Sequence, residues 1–293
     1  MTGAFMTGAC VTGAAGARPG WRAAIAAGLL CLLPPTTAPA ADVGVAPHRA
    51  FYDLSLARAA PGTGIESVSG VMSFELEESC ESWVLTQRLL FVTRTDRGGG
   101  HASDIAYTAW EGKDGRDFAF HTRIRADDET VEEVKGGARF EAAGGAGVAR
   151  FSRPAARRVP LPTGTLLPVA HMAELLARAA AGETLHSAPL FDGSSADGAL
   201  LASVFVGRRL PAPEEGAAGP LREGASWRVS AALYPLSGAV ELPVYRTAFR
   251  LWDTGVAQSL VIDYGDYALA GGLQRVVPLA RPDCPSPTAP SGR

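Results

Sequence analysis

The sequence predicts a mainly β domain: an antiparallel sheet, arranged as a barrel, a sandwich or a curled sheet, with one amphipathic helix packed against it. Three observations carry this. Apolar and polar residues alternate with a period of two along much of the chain, as they do on strands with one wet face. The alternating runs follow one another closely, punctuated by Gly, Pro and Asp, which leaves no room for the crossover helices of a parallel sheet. One segment alone has the helical period.

The elements follow in order. Tyr52, Leu54 and Leu56 open the alternation. Val68, Gly70, Met72, Phe74 and Leu76 then alternate with Ser67, Ser69, Ser73, Glu75 and Glu77, interrupted only by Val71. Residues 83–92 are denser in apolar groups, and that density predicts burial on both faces. Phe118, Phe120 and Ile124 share a face of a further strand. Segments 227–233, 244–252, 256–262 and 267–277 are each bounded by Gly, Pro or Asp and read as later strands. Over residues 168–181, Val169, Met172, Leu175, Leu176 and Ala179 recur at three- and four-residue steps. Pro168 suits the first helical position and Gly182 the terminating one. Glu174 and Arg178 stand one turn apart on the outer side. Residues 153–162, 187–197 and 211–220 read as loops.

The N-terminus sets the compartment. Arg18 and Arg22 precede an almost wholly apolar run over residues 23–33, and Ala38-Pro39-Ala40 supplies the small residues of a signal-peptidase site. Residues 1–41 are therefore expected to be a signal peptide, cleaved after Ala40 or Ala41, with Met6 an alternative start. The apolar run falls short of the ~20 residues a membrane-spanning helix needs, and Pro34 and Pro35 end it. Cys31 follows Leu29 and Leu30, too bulky for a lipidation site. Residues 42–284 are expected to form one β-rich periplasmic domain without a transmembrane anchor, and the Pro- and Ser-rich residues 285–293 a disordered tail.

Composition narrows the partners. The formal net charge is −3, and it becomes more negative once Arg18 and Arg22 are lost, which argues against nucleic acid as a ligand. Of four cysteines, Cys10 and Cys31 leave with the leader. Cys80 and Cys284 then stand alone in an oxidising compartment, where a structural disulfide is the natural outcome; two free thiols are the alternative.

No catalytic, metal or cofactor framework is visible. His48, His101, His121, His171 and His186 show no HxH, HxxxH or HExxH spacing, and His171 reads as a packing or surface residue of the helix. Ser194 and Ser195 lack the second glycine of a nucleophile elbow. Gly145-Ala146-Gly147 and Gly98-Gly99-Gly100 read as turns. The acidic run Asp127, Asp128, Glu129, Glu132 and Glu133 lacks the glycine and spacing of a calcium loop and reads as a solvated strand end.

Spaced motifs carry a resemblance. His48-Arg49-Ala50 with Tyr52 and Leu54, Cys80-Glu81-Ser82-Trp83, residues 161–168 with His171, Leu190-Phe191-Asp192-Gly193-Ser194, and Asp263-Tyr264-Gly265-Asp266-Tyr267 before the final cysteine together resemble the EipB family of periplasmic cell-envelope integrity proteins. The likeness spans nearly the whole chain after the leader. It implies a long curled antiparallel sheet, a β-spiral, wrapped beside a helix, with Cys80 and Cys284 bridged. It further implies a non-enzymatic part in keeping the envelope intact under stress. Two function classes follow: a non-catalytic protein that binds an envelope component or a periplasmic partner protein, and a carrier or hydrolase of envelope lipid or glycan whose cavity is lined by the alternate apolar residues.

Overall fold

The structure is a computed structural model that describes residues 44–213, 219–236 and 242–285. The expected signal peptide, its cleavage site and almost all of the expected tail lie outside the described residues. Eight strands come first. They are β1 (His48–Ala59), β2 (Ile65–Glu78), β3 (Ser82–Thr95), β4 (Gly100–Gly112), β5 (Asp117–Ala126), β6 (Glu129–Phe140), β7 (Gly147–Arg153) and β8 (Arg157–Leu161). The helix α1 (Pro168–Ala180) follows. The chain then returns through β9 (Leu185–Leu190), β10 (Leu200–Leu210), β11 (Ser226–Pro235), β12 (Tyr245–Trp252), β13 (Ala257–Asp263) and β14 (Tyr267–Pro278).

All fourteen strands form one sheet in the order β8-β7-β6-β5-β4-β3-β2-β1-β14-β13-β12-β11-β10-β9. The first meander runs outward from β1 to one edge. The second runs inward from the other edge to β14, which pairs antiparallel with β1. The first and last of these strands therefore meet mid-sheet, and the edges β8 and β9 are consecutive strands on either side of α1. At the β9 edge, the Leu166 N–H donates to Pro189 O (2.8 Å) and the Phe191 N–H to Leu166 O (3.0 Å), so the linker after β8 is stitched to β9.

The sheet curls around α1. Val169, Leu175, Leu176 and Ala179 form one buried cluster with Leu76 of β2, Val204 and Val206 of β10, Trp227 of β11 and Leu251 of β12. Phe74, Trp83, Leu85 and Met172 pack against it. A helix touched from β2 and β3 on one side and from β10 to β12 on the other lies in the concavity of the sheet. Burying this many large apolar side chains at ~1.5–3 kcal/mol each is what holds a helix of four turns in place. Two further clusters of buried side chains lie in the interior. One is aromatic, with Phe191 edge-on to Phe118 (5.9 Å) and Phe120 (5.4 Å). The other joins Tyr52, Leu54, Met72, Phe91, Trp252 and Leu269 across β1, β2, β3, β12 and β14.

The alternation in β1, β2 and β5 and the helix over residues 168–180 match the sequence expectations, and Gly182 ends α1 at φ +82°. Three expectations need correction. The strand over residues 83–92 is not buried on both faces: Leu90 and Val92 are 38% and 39% exposed on the outer face of β3. Residues 153–162 are not all loop, because β8 occupies Arg157–Leu161. Likewise 187–197 contains the end of β9. Both are edge strands. Pro160 and Pro189 lie on these strands, and an edge tolerates proline because the missing N–H has no ladder partner.

Candidate functional site

The helix starts without help from its own sequence. Leu167 at the N-cap offers no side-chain acceptor, and Pro168 at the first position has no N–H to satisfy. The acceptor comes from the sheet. Glu111, near the end of β4 and 4% exposed, accepts the Val169 N–H (2.8 Å) and the Ala170 N–H (2.9 Å) on its two carboxylate oxygens. Burial pushes this carboxyl up to about 7, against the two hydrogen bonds, which favour the anion. Glu111 thus ties the mouth of α1 to β4 across 58 residues of chain.

One turn into α1, His171 stacks on His186 of β9, with ring centroids 5.6 Å apart. Neither Nε2 has a hydrogen-bond partner. Glu174 approaches His186 Nε2 to 3.9 Å while accepting Arg178 at 2.8 Å. Burial, and then the neighbouring His186, hold His171 down at about 4; burial lowers His186 as well. The pair stays neutral near pH 7 and packs as two flat rings between helix and strand. Of the two roles expected for it, packing or surface, His171 takes the first, with its Nε2 left without a partner.

The segment after β9 enters the sheet's concavity. The Tyr107 hydroxyl donates to Asp192 O (2.7 Å) and the Thr122 hydroxyl to Gly193 O (3.3 Å). Gly193 sits at φ +68°, and a Cβ there would run into the Phe120 ring, so both its conformation and its space require glycine. Ser194 donates its hydroxyl (2.7 Å) and its N–H (2.9 Å) to Asp192 Oδ1. Ser195 donates to Asp197 Oδ2 at 3.2 Å. Each serine is held in a local turn by an aspartate, in the manner of Asx and ST turns.

The remaining histidines are dispersed. His48, 1% exposed, donates from Nδ1 to Ala46 O (2.7 Å) and lies against Phe74. His101 pairs with Asp127 (2.8 Å) and His121 with Glu133 (2.8 Å), both at the outer surface. Among the described residues, no group of three or more His, Cys, Asp or Glu side chains is placed to hold a metal. The acidic run is divided: Asp127 caps the Ala102 N–H (2.8 Å), and Asp128 meets Arg125.

The structure joins Cys80 to Cys284, with Cα atoms 5.5 Å apart. Cys80 lies in the turn after β2, and Cys284 six residues beyond β14. The start of β1 separates these strands, since His48 stands opposite Leu76 on one side and Pro278 on the other. The bridge therefore clasps the three central strands at one end.

Sequence reasoning missed Glu111 and the pairing of His171 with His186. Glu111 occupies an ordinary alternating position, and nothing in its neighbours announces a helix 58 residues away. His186 stands 15 residues beyond His171, and no local spacing links the two. The missing N-cap of α1 was the available signal: a helix with Pro at its first position and no local acceptor must find one elsewhere.

Two open depressions lie on the outer face of the sheet. One lies over β9 to β13, between Leu185, Phe205 and the Arg246–Asp263 pair. The other lies over β2 to β5, beside Arg88 and Asp104. Among the described residues, no helix is long and apolar enough to cross a membrane.

Comparison with known proteins gives this architecture a family. A crystal structure of a β-barrel-like protein from Brucella abortus, belonging to a domain of unknown function, superposes with a TM-score of 0.73 at 32% identity, covering 81% of this chain and all of that one. The cell envelope integrity protein EipB of Brucella abortus (strain 2308) is 35% identical over 244 residues, 81% of this chain and 85% of its own length. The profile of the EipB-like family matches residues 39–280, a span that takes in every strand, the helix and the polar groups that anchor it. A sheet of this order curled on one helix, shared over that length, makes the chain a member of the EipB-like family.

Proposed function

We propose that this protein is a non-catalytic periplasmic component that supports cell-envelope integrity by binding an envelope component or a partner protein on its curled sheet. The observation that carries the reading is the family match over residues 39–280, which includes a relative named for envelope integrity. The site geometry supports it from another side. Glu111 is engaged with helix N–H groups, Ser194 with Asp192, and His48 with Ala46, so these side chains serve the fold and do not converge on an open cleft. Carriage of an amphiphile asks for interior space, whereas here α1 and three side-chain clusters occupy the concavity.

The test is genetic and structural together. A strain lacking the gene should become sensitive to detergent and to cell-wall-directed antibiotics, and the wild-type gene should restore it. Ser194→Ala and Ser195→Ala should restore it equally well. A folded serine variant that fails to complement would point to chemistry and overturn the non-catalytic reading. Photo-crosslinkers on the outer face of the sheet should trap an envelope component or protein; trapping only from the interior face would return the argument to carriage.

A further inference from the structure

The outer face of β6 to β8 carries cations whose arrangement has no account within the fold. Two adjacent rows of the ladder run outward-facing across the strands. One places His121 opposite Lys135 and Lys135 opposite Arg153; the other places Ala119 opposite Gly137, Gly137 opposite Arg150, and Arg150 opposite Arg158. Lys135, Arg150, Arg153 and Arg158 are all exposed. Among the described residues, the one ion pair to any of them is a long one, Arg153 to Glu133 at 3.9 Å. Arginines directly opposite one another on an antiparallel pair repel and cost stability.

The grouping on neighbouring strands is what makes the cluster informative, since other exposed arginines without a carboxylate partner, such as Arg94 and Arg97 at the β3–β4 turn, stand apart from it. The net charge is −3; Arg49, Arg88 and Arg246 elsewhere on the outer face, and Arg139 at the far end of β6, each hold a carboxylate. A second cross-strand arginine pair, Arg228 and Arg250, is compensated: Arg250 lies 4.1 Å over the Trp252 ring and donates to Ser226. Protection of a sheet edge explains cations on β8. It does not explain Lys135 on β6 or Arg150 on β7, which are interior strands.

We propose that this face of β6 to β8 docks on an anionic phospholipid surface, its cations meeting the headgroup phosphates. The inference deepens the envelope-binding reading and rests on it. Guanidinium forks match phosphate oxygens bidentately. Ala119 and Gly137 leave a low floor between the charged side chains, so a flat surface can approach. The cations spread over a face instead of converging on a point, which complements an array of charges and not a single ion.

Co-sedimentation of the full chain with vesicles tests this. The protein should bind phosphatidylcholine vesicles that carry phosphatidylglycerol, should leave pure phosphatidylcholine vesicles unbound, and should dissociate as salt is raised. Each cation at such a surface is worth roughly a fivefold change in affinity, so Arg150→Ser with Arg158→Ser should weaken binding about thirtyfold. Arg94→Glu with Arg97→Glu, an equal or larger charge change at the β3–β4 turn, should leave it within about threefold. Arg150→Glu alone replaces a repulsive pair with an attractive one, so it should bind more weakly while melting no lower than the parent. Undiminished binding by the Arg150/Arg158 variant overturns the proposal. So does equal binding to neutral vesicles, displacement by inorganic phosphate beyond that by chloride of equal ionic strength, or binding confined to a soluble polyanion such as heparin. If the Arg150/Arg158 variant loses vesicle binding yet fully restores the envelope of the deletion strain, the lipid surface is not the working partner and the broader envelope reading stands.

Discussion

Replacing Glu111 by Gln separates two physical effects that oppose each other at the mouth of α1. The carboxylate accepts two N–H groups at the positive end of a helix, which favours the charged form. It is also 4% exposed, which disfavours it. Burial wins, and the carboxyl rises from its ordinary 4.5 to about 7, a difference of about 3 kcal/mol between its two protonation states. Because the folded value lies above the unfolded one, the associated stability is fully present below pH 4.5 and is lost as pH rises through 7. Between about pH 5.5 and pH 8.5 the wild type should lose about 2 kcal/mol that Glu111→Gln, which does not titrate, keeps. Urea unfolding of both proteins at the two pH values gives the double difference, and contributions common to both cancel. Equal slopes would show that Glu111 is solvated in solution. A wild type that gains stability relative to Glu111→Gln as pH rises would show that the helix terminus outweighs burial, and the reasoning would fail.

Three further outcomes are expected. Leu175→Ala, at a side chain 2% exposed where helix meets sheet, should lower the unfolding free energy by about 2–5 kcal/mol in denaturant melts, whereas a peripheral helix would lose less than about 0.5 kcal/mol. Cys80→Ser opens a bridge between residues 204 apart in sequence, for which chain entropy sets an upper figure of roughly 5 kcal/mol; under non-reducing conditions it should melt several degrees lower, and an equal melting temperature would show an idle bond. His171 is held at about 4, below its ordinary 6.5, so its contribution is intact above pH 6.5 and lost as pH falls toward 4. His171→Gln should therefore flatten the acid side of the stability curve by about 1–3 kcal/mol, a range discounted for partial exposure, and an unchanged acid limb would place the ring in solvent.

The parts of the fold legible in the sequence are those with a period. Val68 to Leu76 announce β2 because each second side chain meets the interior, and Val169 to Ala179 announce α1 because the same stripe faces the cluster around Trp227. The edges were illegible for a physical reason. Pro160 and Pro189 mean loop almost everywhere except on an edge strand, and nothing local says which strand will be an edge. Leu90 and Val92 misled in the other direction, since apolar side chains on an outer face carry no mark of their exposure. The anchoring of α1 by Glu111, and the stacking of His171 on His186, depend on how far the sheet curls, which brings β4 and β9 to the helix. That curvature is a property of the whole sheet and is not written in any one window of sequence.

The pairing of β1 with β14 has a consequence for how the molecule is assembled. Every other neighbour in the sheet is also a neighbour in the chain, apart from the edges left open at β8 and β9, so each meander forms from short-range hairpins. The middle of the sheet alone needs strands as far apart in sequence as β1 and β14, and closing so long a loop is entropically the slowest kind of step. A chain delivered from its N-terminus exposes β1 as a bare edge until β14 arrives, and Cys284, six residues beyond β14, locks that junction. Completion of the domain is thus coupled to delivery of the whole chain, and a truncated product would present an unpaired central strand, open to proteolysis and to pairing with other chains.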